Sequence, residues 1–258
     1  MNATARIGIK IIRLISGALD NLVLITIILL IAVGSYAIWD SKQVFERANA
    51  VHYEIYKPTE EADGGQSFAE LRALNPDVFG WLTIYGTHID YPVVQGDDNM
   101  KYINTNADGQ YSLSGSIFLD HRNHTDFSDF SSIFYGHHME KSAMFGDIGS
   151  FAEKSYFYER KYGNLRYQDR EHGIEFFAFV HADAYDFTIF RTDIDGRDER
   201  QAYLDLLYSS ATYARDIQVT IDDRIVLFST CSSDSTNGRD ILVGRISNEI
   251  FADTFVKT

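Results

Sequence analysis

Cys231 is the only cysteine in the chain, and its surroundings suit a nucleophile. It follows the apolar run RIVLFST and precedes the polar segment SSDSTNGRD, which predicts a position at the end of a β-strand beside a loop. A thiol there can meet a substrate, whereas a free cysteine in mid-strand is usually buried and inert. Placement alone leaves a nucleophile and a core cysteine as equal alternatives. A single cysteine excludes an intramolecular disulfide and a multi-cysteine zinc site.

Two other residues have the chemistry to assist a cysteine nucleophile, which needs a base for its proton and a donor for the oxyanion. His137 follows the apolar run of SSIFYGHHME, which predicts a strand end. Arg239 lies eight residues after Cys231 at the start of ILVGRI, so antiparallel pairing would bring both side chains to one end of a sheet. Arginine stays protonated and offers several donors. Taken singly, a surface histidine and a solvated arginine are the more common explanations.

The sequence predicts no metal and no cofactor. Asp97, Asp98, Asp126 and Asp129 lack the spacing of an EF-hand loop, and we interpret them as solvated acids. A Walker loop, a dinucleotide fingerprint and a Gly-x-Ser-x-Gly elbow are all missing from the sequence. The net charge is −14, and the C-terminal two thirds contain no basic cluster, which argues against a nucleic-acid partner.

An uncharged apolar stretch near the N-terminus predicts a membrane anchor. It covers residues 21–39, close to the ~20 residues that cross a bilayer as a helix. Arg6, Lys10 and Arg13 precede it, so the positive-inside rule places the N-terminus in the cytoplasm and the rest of the chain outside the cell. A cleaved signal peptide and a buried core helix are the alternatives, but the run is long for the first and has no polar stripe for the second.

These features divide the chain into four predicted parts. Residues 1–21 form a cytoplasmic flank and residues 22–39 a transmembrane signal anchor. Residues 40–66 are polar, contain Pro58 and end near a glycine pair, which is typical of a stalk or linker. Residues 67–258 form the catalytic domain.

Strands dominate the predicted catalytic domain. Apolar runs bounded by turn signals occur in WLTIYGTHIDYPVV, SGSIFLD, SSIFYGHHM, IEFFAFVHADAYDF, IQVTI, RIVLFSTC and ILVGRI. Helices are predicted near residues 68–74, 144–155 and 197–208. Many short strands with few helices favour a mainly β fold, a closed or nearly closed barrel.

Several of these motifs together resemble one family, the class B sortases. The cysteine region of this family is similar to the motif STC, followed by an arginine eight residues after the cysteine and then by ILVGRI. The histidine region of the family is similar to YGHHM…MFGDI. THIDYPVVQGDDNMKYI and SLSGSIFLDHRN resemble the strands and turns ahead of it. The resemblance runs from about residue 68 to residue 246 and keeps the order histidine, cysteine, arginine.

The resemblance implies a fold and a reaction. Sortases have a closed eight-stranded β-barrel, and class B adds N-terminal helices. The thiolate, here Cys231, attacks a backbone amide in the C-terminal sorting signal of a secreted protein, and an amine resolves the thioester acyl-enzyme. His137 would protonate the leaving amine and deprotonate the incoming one. Arg239 would stabilise the oxyanion or position the sorting signal, and Ser229 and Thr230 would line the groove.

Within class B, the segments ANAVHYEIYK and LNPDVFGWLTIYG, with those that follow, resemble the enzymes that polymerise pilins. The implied partners are secreted proteins or pilins that carry a sorting signal, with a pilin lysine as the amine. A wall-anchoring enzyme that uses a peptidoglycan cross-bridge amine is the alternative. Outside this class, a hydrolytic cysteine protease and a non-catalytic anchored binding module remain as hypotheses.

Overall fold

The computed structural model describes residues 3–48, 50, 53–58, 64–232 and 236–255. The chain falls into two compact units, one up to Val44 and one from Phe45 onward. The predicted linker, 40–66, spans this boundary, and residues 49, 51–52 and 59–63 of it lie outside the described residues. Its division from the neighbouring parts stays a prediction.

The first unit belongs to one long helix, α1 (Ala3–Ala48). The part from Ile7 to Val44 is long and apolar enough to cross a membrane. Apolar side chains along it are exposed, for example Leu24 at 55%, Ile28 at 55% and Ile31 at 63%. A core helix would bury these side chains, so their exposure contradicts that alternative and suits a helix whose surroundings are lipid.

The described part of the second unit contains nine β-strands. These are β1 (Val78–Ile84), β2 (Asp90–Val94), β3 (Ile117–Leu119), β4 (Ser131–Tyr135), β5 (Tyr162–Tyr167), β6 (Arg170–Asp183), β7 (Ala211–Ala214), β8 (Arg224–Cys231) and β9 (Gly238–Ser247). They pair in the order β5-β1-β2-β3-β4-β8-β9-β6, and β6 also pairs with β5. This last pairing closes an eight-stranded barrel, as predicted, while β7 adds to the outside edge of β6.

Within the described residues, three further α-helices lie around the barrel. They are α2 (Gly64–Leu74), α3 (Lys154–Glu159) and α4 (Arg197–Ser210). The predicted helix near residues 197–208 is confirmed by α4. The helix predicted near residues 144–155 is replaced by a 3-10 turn, Ile148–Ala152, followed by the short α3.

Two hydrophobic clusters explain why the central strands are apolar on both faces. Along β8, Val226 and Phe228 belong to the cluster inside the barrel. Ile225 and Leu227 alternate with them and pack in a second cluster outside the barrel, where α4 contributes Leu207. Successive side chains of a strand point to opposite faces, so a strand buried on both faces becomes a continuous apolar run. This is the origin of the RIVLFST pattern ahead of Cys231.

The prediction of a strand at residues 217–221 is wrong. These residues form no ladder, and Gln218 has a φ of 56°, which breaks an extended conformation. Ile217, Val219 and Ile221 still pack against the outer cluster. The alternation of apolar residues therefore reflects burial alone, while β7 takes the free edge of β6.

The C-terminal end of α1 and the residues that follow it belong to the second unit, and a buried tyrosine fixes them to the barrel. The hydroxyl of Tyr91 on β2 donates to the carbonyl of Ala48 at 2.9 Å and accepts from the backbone N–H of Met144 at 3.0 Å. Tyr53 packs edge-on against the Tyr91 ring, and Ala48 and Tyr53 are both buried. Part of the predicted linker thus belongs to the folded barrel.

Candidate active site

Cys231 and Arg239 face each other across two neighbouring strands. Cys231 is the last residue of β8 and is exposed. Arg239 is the second residue of β9, and the antiparallel register pairs it directly with Cys231. Directly opposed residues point to the same face, with Cβ atoms ~4.5–5.5 Å apart. The guanidinium is partly buried and donates from Nη1 to the carbonyl of Gly238 at 2.9 Å.

His137 reaches the same end of the sheet from the other side of β8. Strand β4 runs parallel to β8, and its last residue, Tyr135, pairs with Ser229. His137 and Cys231 each lie two residues beyond that pair. The Nε2 atom of His137 lies 2.8 Å from the carbonyl oxygen of Ile103. A carbonyl oxygen only accepts, so Nε2 is the hydrogen-bond donor in this contact.

Cys231, His137 and Arg239 line one groove of about 580 Å³. Its walls are mainly apolar and aromatic, which suits an extended peptide. Its other lining residues are Asn99, Met100, Ile103, Phe118, His121, Arg122, Tyr135, Gly136, Ala184, Phe187, Phe190, Ser229 and Thr230. None of the described residues that line it is acidic.

Ser229 and Thr230, the residues just before the thiol, are 1% and 2% exposed. Within the described residues neither hydroxyl has a hydrogen-bond partner. Both residues border the groove. The two residues are consecutive on β8, so their side chains point to opposite faces of the sheet, and Ser229 shares the face of Cys231.

The comparisons with known proteins agree with this geometry. No family model matches the sequence. Sortase B of Listeria monocytogenes is 32% identical over 179 residues, which cover 69% of this chain and 72% of that protein. The chain belongs to the class B sortases. These are cysteine transpeptidases, so the sortase is an enzyme of that type.

This sortase is similar to two solved structures of pilus-associated class B sortases. Sortase B from the type II pilus of Streptococcus pneumoniae is 45% identical, with a TM-score of 0.62, and the match covers 70% of this chain and 99% of that one. A class B sortase of Streptococcus pyogenes involved in pilus biogenesis is 41% identical, with a TM-score of 0.65, covering 71% and 99%. The predicted likeness to the pilus-associated members of class B is confirmed by both.

Sequence reasoning missed a polar part of the sortase groove. Asn99, Arg122 and Tyr135 line it together with the predicted residues. A signal for Tyr135 was present, because it lies two positions before His137 and shares its face of the strand. Asn99 and Arg122 lie in loops, and nothing in their local sequence points to the groove.

We expect Gly136→Ala to displace His137. A Cβ at Gly136 would lie 2.8 Å from the ring of Phe145, which is fully buried and packs edge-on against Phe228. Because this ring has no room to move, the backbone beside His137 must shift. We expect kcat/KM to fall about tenfold, because His137 is displaced. We expect the free energy of unfolding to fall by about 1–3 kcal/mol, because the site is overpacked. Cleavage of an internally quenched peptide, selected from a sorting-signal library, and urea unfolding measure the two effects.

Gly196→Ala is the matched control for that substitution. A Cβ at Gly196 would meet nothing closer than Cγ of Glu199 at 3.6 Å, an ordinary contact. We expect this variant to retain the activity of the unmodified sortase. Equal activity in the two variants would contradict the packing argument at Gly136.

Proposed function

We propose that this sortase cleaves the sorting signal of a secreted protein and transfers the acyl group to an amine, with Cys231 as the nucleophile. The observation that carries the proposal is the convergence of three strands. Strand β8 ends at Cys231, β9 places Arg239 directly opposite, and β4 leads to His137 in the same groove. A thiol, an imidazole and a guanidinium in one groove are the groups that acyl transfer requires.

The first half of the proposed reaction breaks the peptide bond. The Cys231 thiolate attacks the carbonyl carbon, and the carbonyl electron pair moves to oxygen. Arg239 donates hydrogen bonds to this oxyanion as the tetrahedral intermediate forms. The intermediate collapses, the carbon–nitrogen bond breaks, and His137 gives a proton to the departing amine. The acyl group is left as a thioester on Cys231.

The second half forms the new amide. A neutral amine attacks the thioester carbon and passes its proton to His137, which restores the imidazolium. The second tetrahedral intermediate expels the thiolate of Cys231. Apolar walls favour the amine over water by limiting the solvent that reaches the thioester. Ser229 and Thr230 border the groove that would hold the sorting signal, Ser229 on the face of β8 that carries Cys231.

We propose that α1 anchors the sortase at the membrane, so that this chemistry takes place at the membrane surface. α1 contains the helical stretch that is long and apolar enough to span a bilayer, and basic residues occur ahead of it in the sequence. We propose that the N-terminus is cytoplasmic and that the barrel lies outside the cell. An enzyme held there meets secreted proteins as they leave the membrane.

The acceptor in this proposal is a lysine of a pilin subunit. Support comes from the two pilus-associated structures, which are 45% and 41% identical to this chain. A cross-bridge amine of peptidoglycan is the second candidate, and the groove geometry suits either amine. The two acceptors are distinguished by their products.

Product analysis tests the proposed transfer. The sortase is incubated with a sorting-signal peptide and either a lysine-containing pilin fragment or an oligoglycine. The products are identified by mass spectrometry. We expect an isopeptide product with the pilin fragment to exceed the hydrolysis product at least about tenfold. Dominance of the oligoglycine product would favour wall anchoring. Hydrolysis unaffected by either amine would support a protease, and the absence of any cleavage or adduct would support a binding module.

A further inference from the structure

A buried carboxylate lies behind the wall of the groove. Asp120 directly follows β3 and is 0% exposed. Burial alone would raise the pKa of Asp120, but hydrogen bonds from the Arg122 side chain and backbone outweigh it and hold the pKa below its usual value. Asp120 is therefore ionised at neutral pH. A buried charge is costly unless it is fully hydrogen-bonded, so its partners indicate what it organises.

The partners of Asp120 are side chains of the groove. Arg122 donates to it from the backbone N–H at 3.0 Å, from Nε at 2.9 Å and from Nη2 at 2.8 Å. Asn99 donates from Nδ2 at 3.0 Å, and the hydroxyl of Tyr135 donates at 3.1 Å. These three residues come from separate segments of the chain, and all of them line the groove. One carboxylate thus joins three parts of the wall.

These hydrogen bonds fix the orientation of each side chain. The amide of Asn99 is held at both ends, because its Oδ1 accepts from the backbone N–H of His121 at 2.9 Å. Arg122 uses its Nε and Nη2 edge for Asp120, and Nη2 also reaches the carbonyl of Phe190 at 3.3 Å. The Tyr135 ring packs near Phe190, with centroids 6.4 Å apart.

Asp120 is separate from the reacting groups. Within the described residues, no hydrogen bond or ion pair joins it to Cys231, His137 or Arg239. Tyr135 nevertheless pairs with Ser229, two residues before the thiol, so the wall organised by Asp120 adjoins the place of reaction.

We propose that Asp120 is a positioning residue, which shapes the groove wall for binding of the sorting signal and leaves the thiol chemistry unaffected. This inference rests on the proposed function of the groove. The substrate contacts are made by Asn99, Arg122 and Tyr135, whose polar atoms keep one arrangement only while the carboxylate is present. The expected consequence of its loss is weaker peptide binding at an intact reaction centre.

Asp120→Asn tests this proposal because it keeps the shape and removes the charge. We expect KM for the selected quenched peptide to rise about tenfold while kcat stays within about twofold. Iodoacetamide is small and needs no groove wall, so its rate of reaction with Cys231 from pH 5 to pH 9 should match the unmodified sortase. A residue with only a structural role would lower the alkylation rate and kcat together.

Asp129→Asn is the matched control from the same loop. Asp129 accepts hydrogen bonds from His124 and Asn123, and it is not a lining residue of the groove. We expect KM and kcat of the Asp129→Asn variant to equal those of the unmodified sortase. If Asp120→Asn does not fold, Asp120→Glu decides, because it keeps the charge but moves the carboxylate away from its donors and leaves every groove residue unchanged; we then expect KM to rise about threefold.

The proposal is overturned if KM is unchanged in Asp120→Asn, or in Asp120→Glu when the first variant is unfolded. A parallel loss of kcat and of alkylation in a folded variant also overturns it. The unmodified sortase is assayed alongside. If the unmodified sortase cleaves no member of the peptide library, the proposed function of the groove fails. If it cleaves a peptide with a KM that the Asp120 substitution does not change, only the role of Asp120 fails.

Discussion

Cys231→Ala is expected to abolish cleavage of sorting-signal peptides, with kcat/KM falling by at least about 10⁴-fold. The methyl group of alanine has no lone pair for attack on the carbonyl carbon, so the acyl-enzyme cannot form. Quenched-peptide cleavage measures the loss. Intact-mass analysis should show a thioester adduct on the unmodified sortase and none on the variant.

The same variant should remain folded. Cys231 is exposed at the end of β8, so truncation of its side chain leaves no cavity in either hydrophobic cluster. We expect the urea midpoint to stay within the error of the measurement. Because the chain has a single cysteine, a thiol-reactive label provides an independent count of the reactive group. Cleavage by the alanine variant at the original rate would refute the assignment of the nucleophile.

Arg239→Lys is expected to lower kcat by about 10²–10³-fold, with a smaller change in KM. Lysine keeps the positive charge but presents a single ammonium group in place of a planar fork of donors. The charge of the oxyanion develops only as the thiolate attacks, so a lost donor affects the transition state more than the bound peptide. Steady-state kinetics with the quenched peptide separate kcat from KM.

Arg245→Lys is the control on the same strand. Arg245 lies six residues further along β9, on the same face as Arg239 but towards the other end of the barrel, where it contacts Glu175 at 2.6 Å. We expect this variant to lose some stability and to keep its kcat. An equal loss of kcat in both variants would indicate that any change of arginine in β9 disturbs the barrel. An Arg239→Lys variant with normal kcat would remove the proposed oxyanion role.

The placement of Cys231 opposite Arg239 could be predicted from the sequence, because it depends on local features. An apolar run, a polar loop and a second apolar run specify two adjacent antiparallel strands, and their spacing sets which residues face each other. The apolar helix near the N-terminus could be predicted for the same reason, since composition and length within one segment determine it.

The position of His137 depended on the tertiary structure. It lies 94 residues before Cys231, and only the parallel pairing of β4 with β8 brings it to the same groove. A sequence pattern shows that each strand exists but not which distant strand is its neighbour. The resemblance to class B sortases supplied that information, whereas the residues alone left His137 as a surface histidine.

Tertiary structure also decided which polar and apolar residues have structural partners. Asp120 is a polar residue at a strand end in the sequence, but the fold buries it and surrounds it with donors from distant segments. Residues 217–221 alternate like a strand, yet β7 occupies the edge of β6 and leaves them only a packing role. Local sequence determined most of the elements and the Cys231–Arg239 pair. Closure of the barrel determined the groove, because strand pairing and burial are properties of the whole chain.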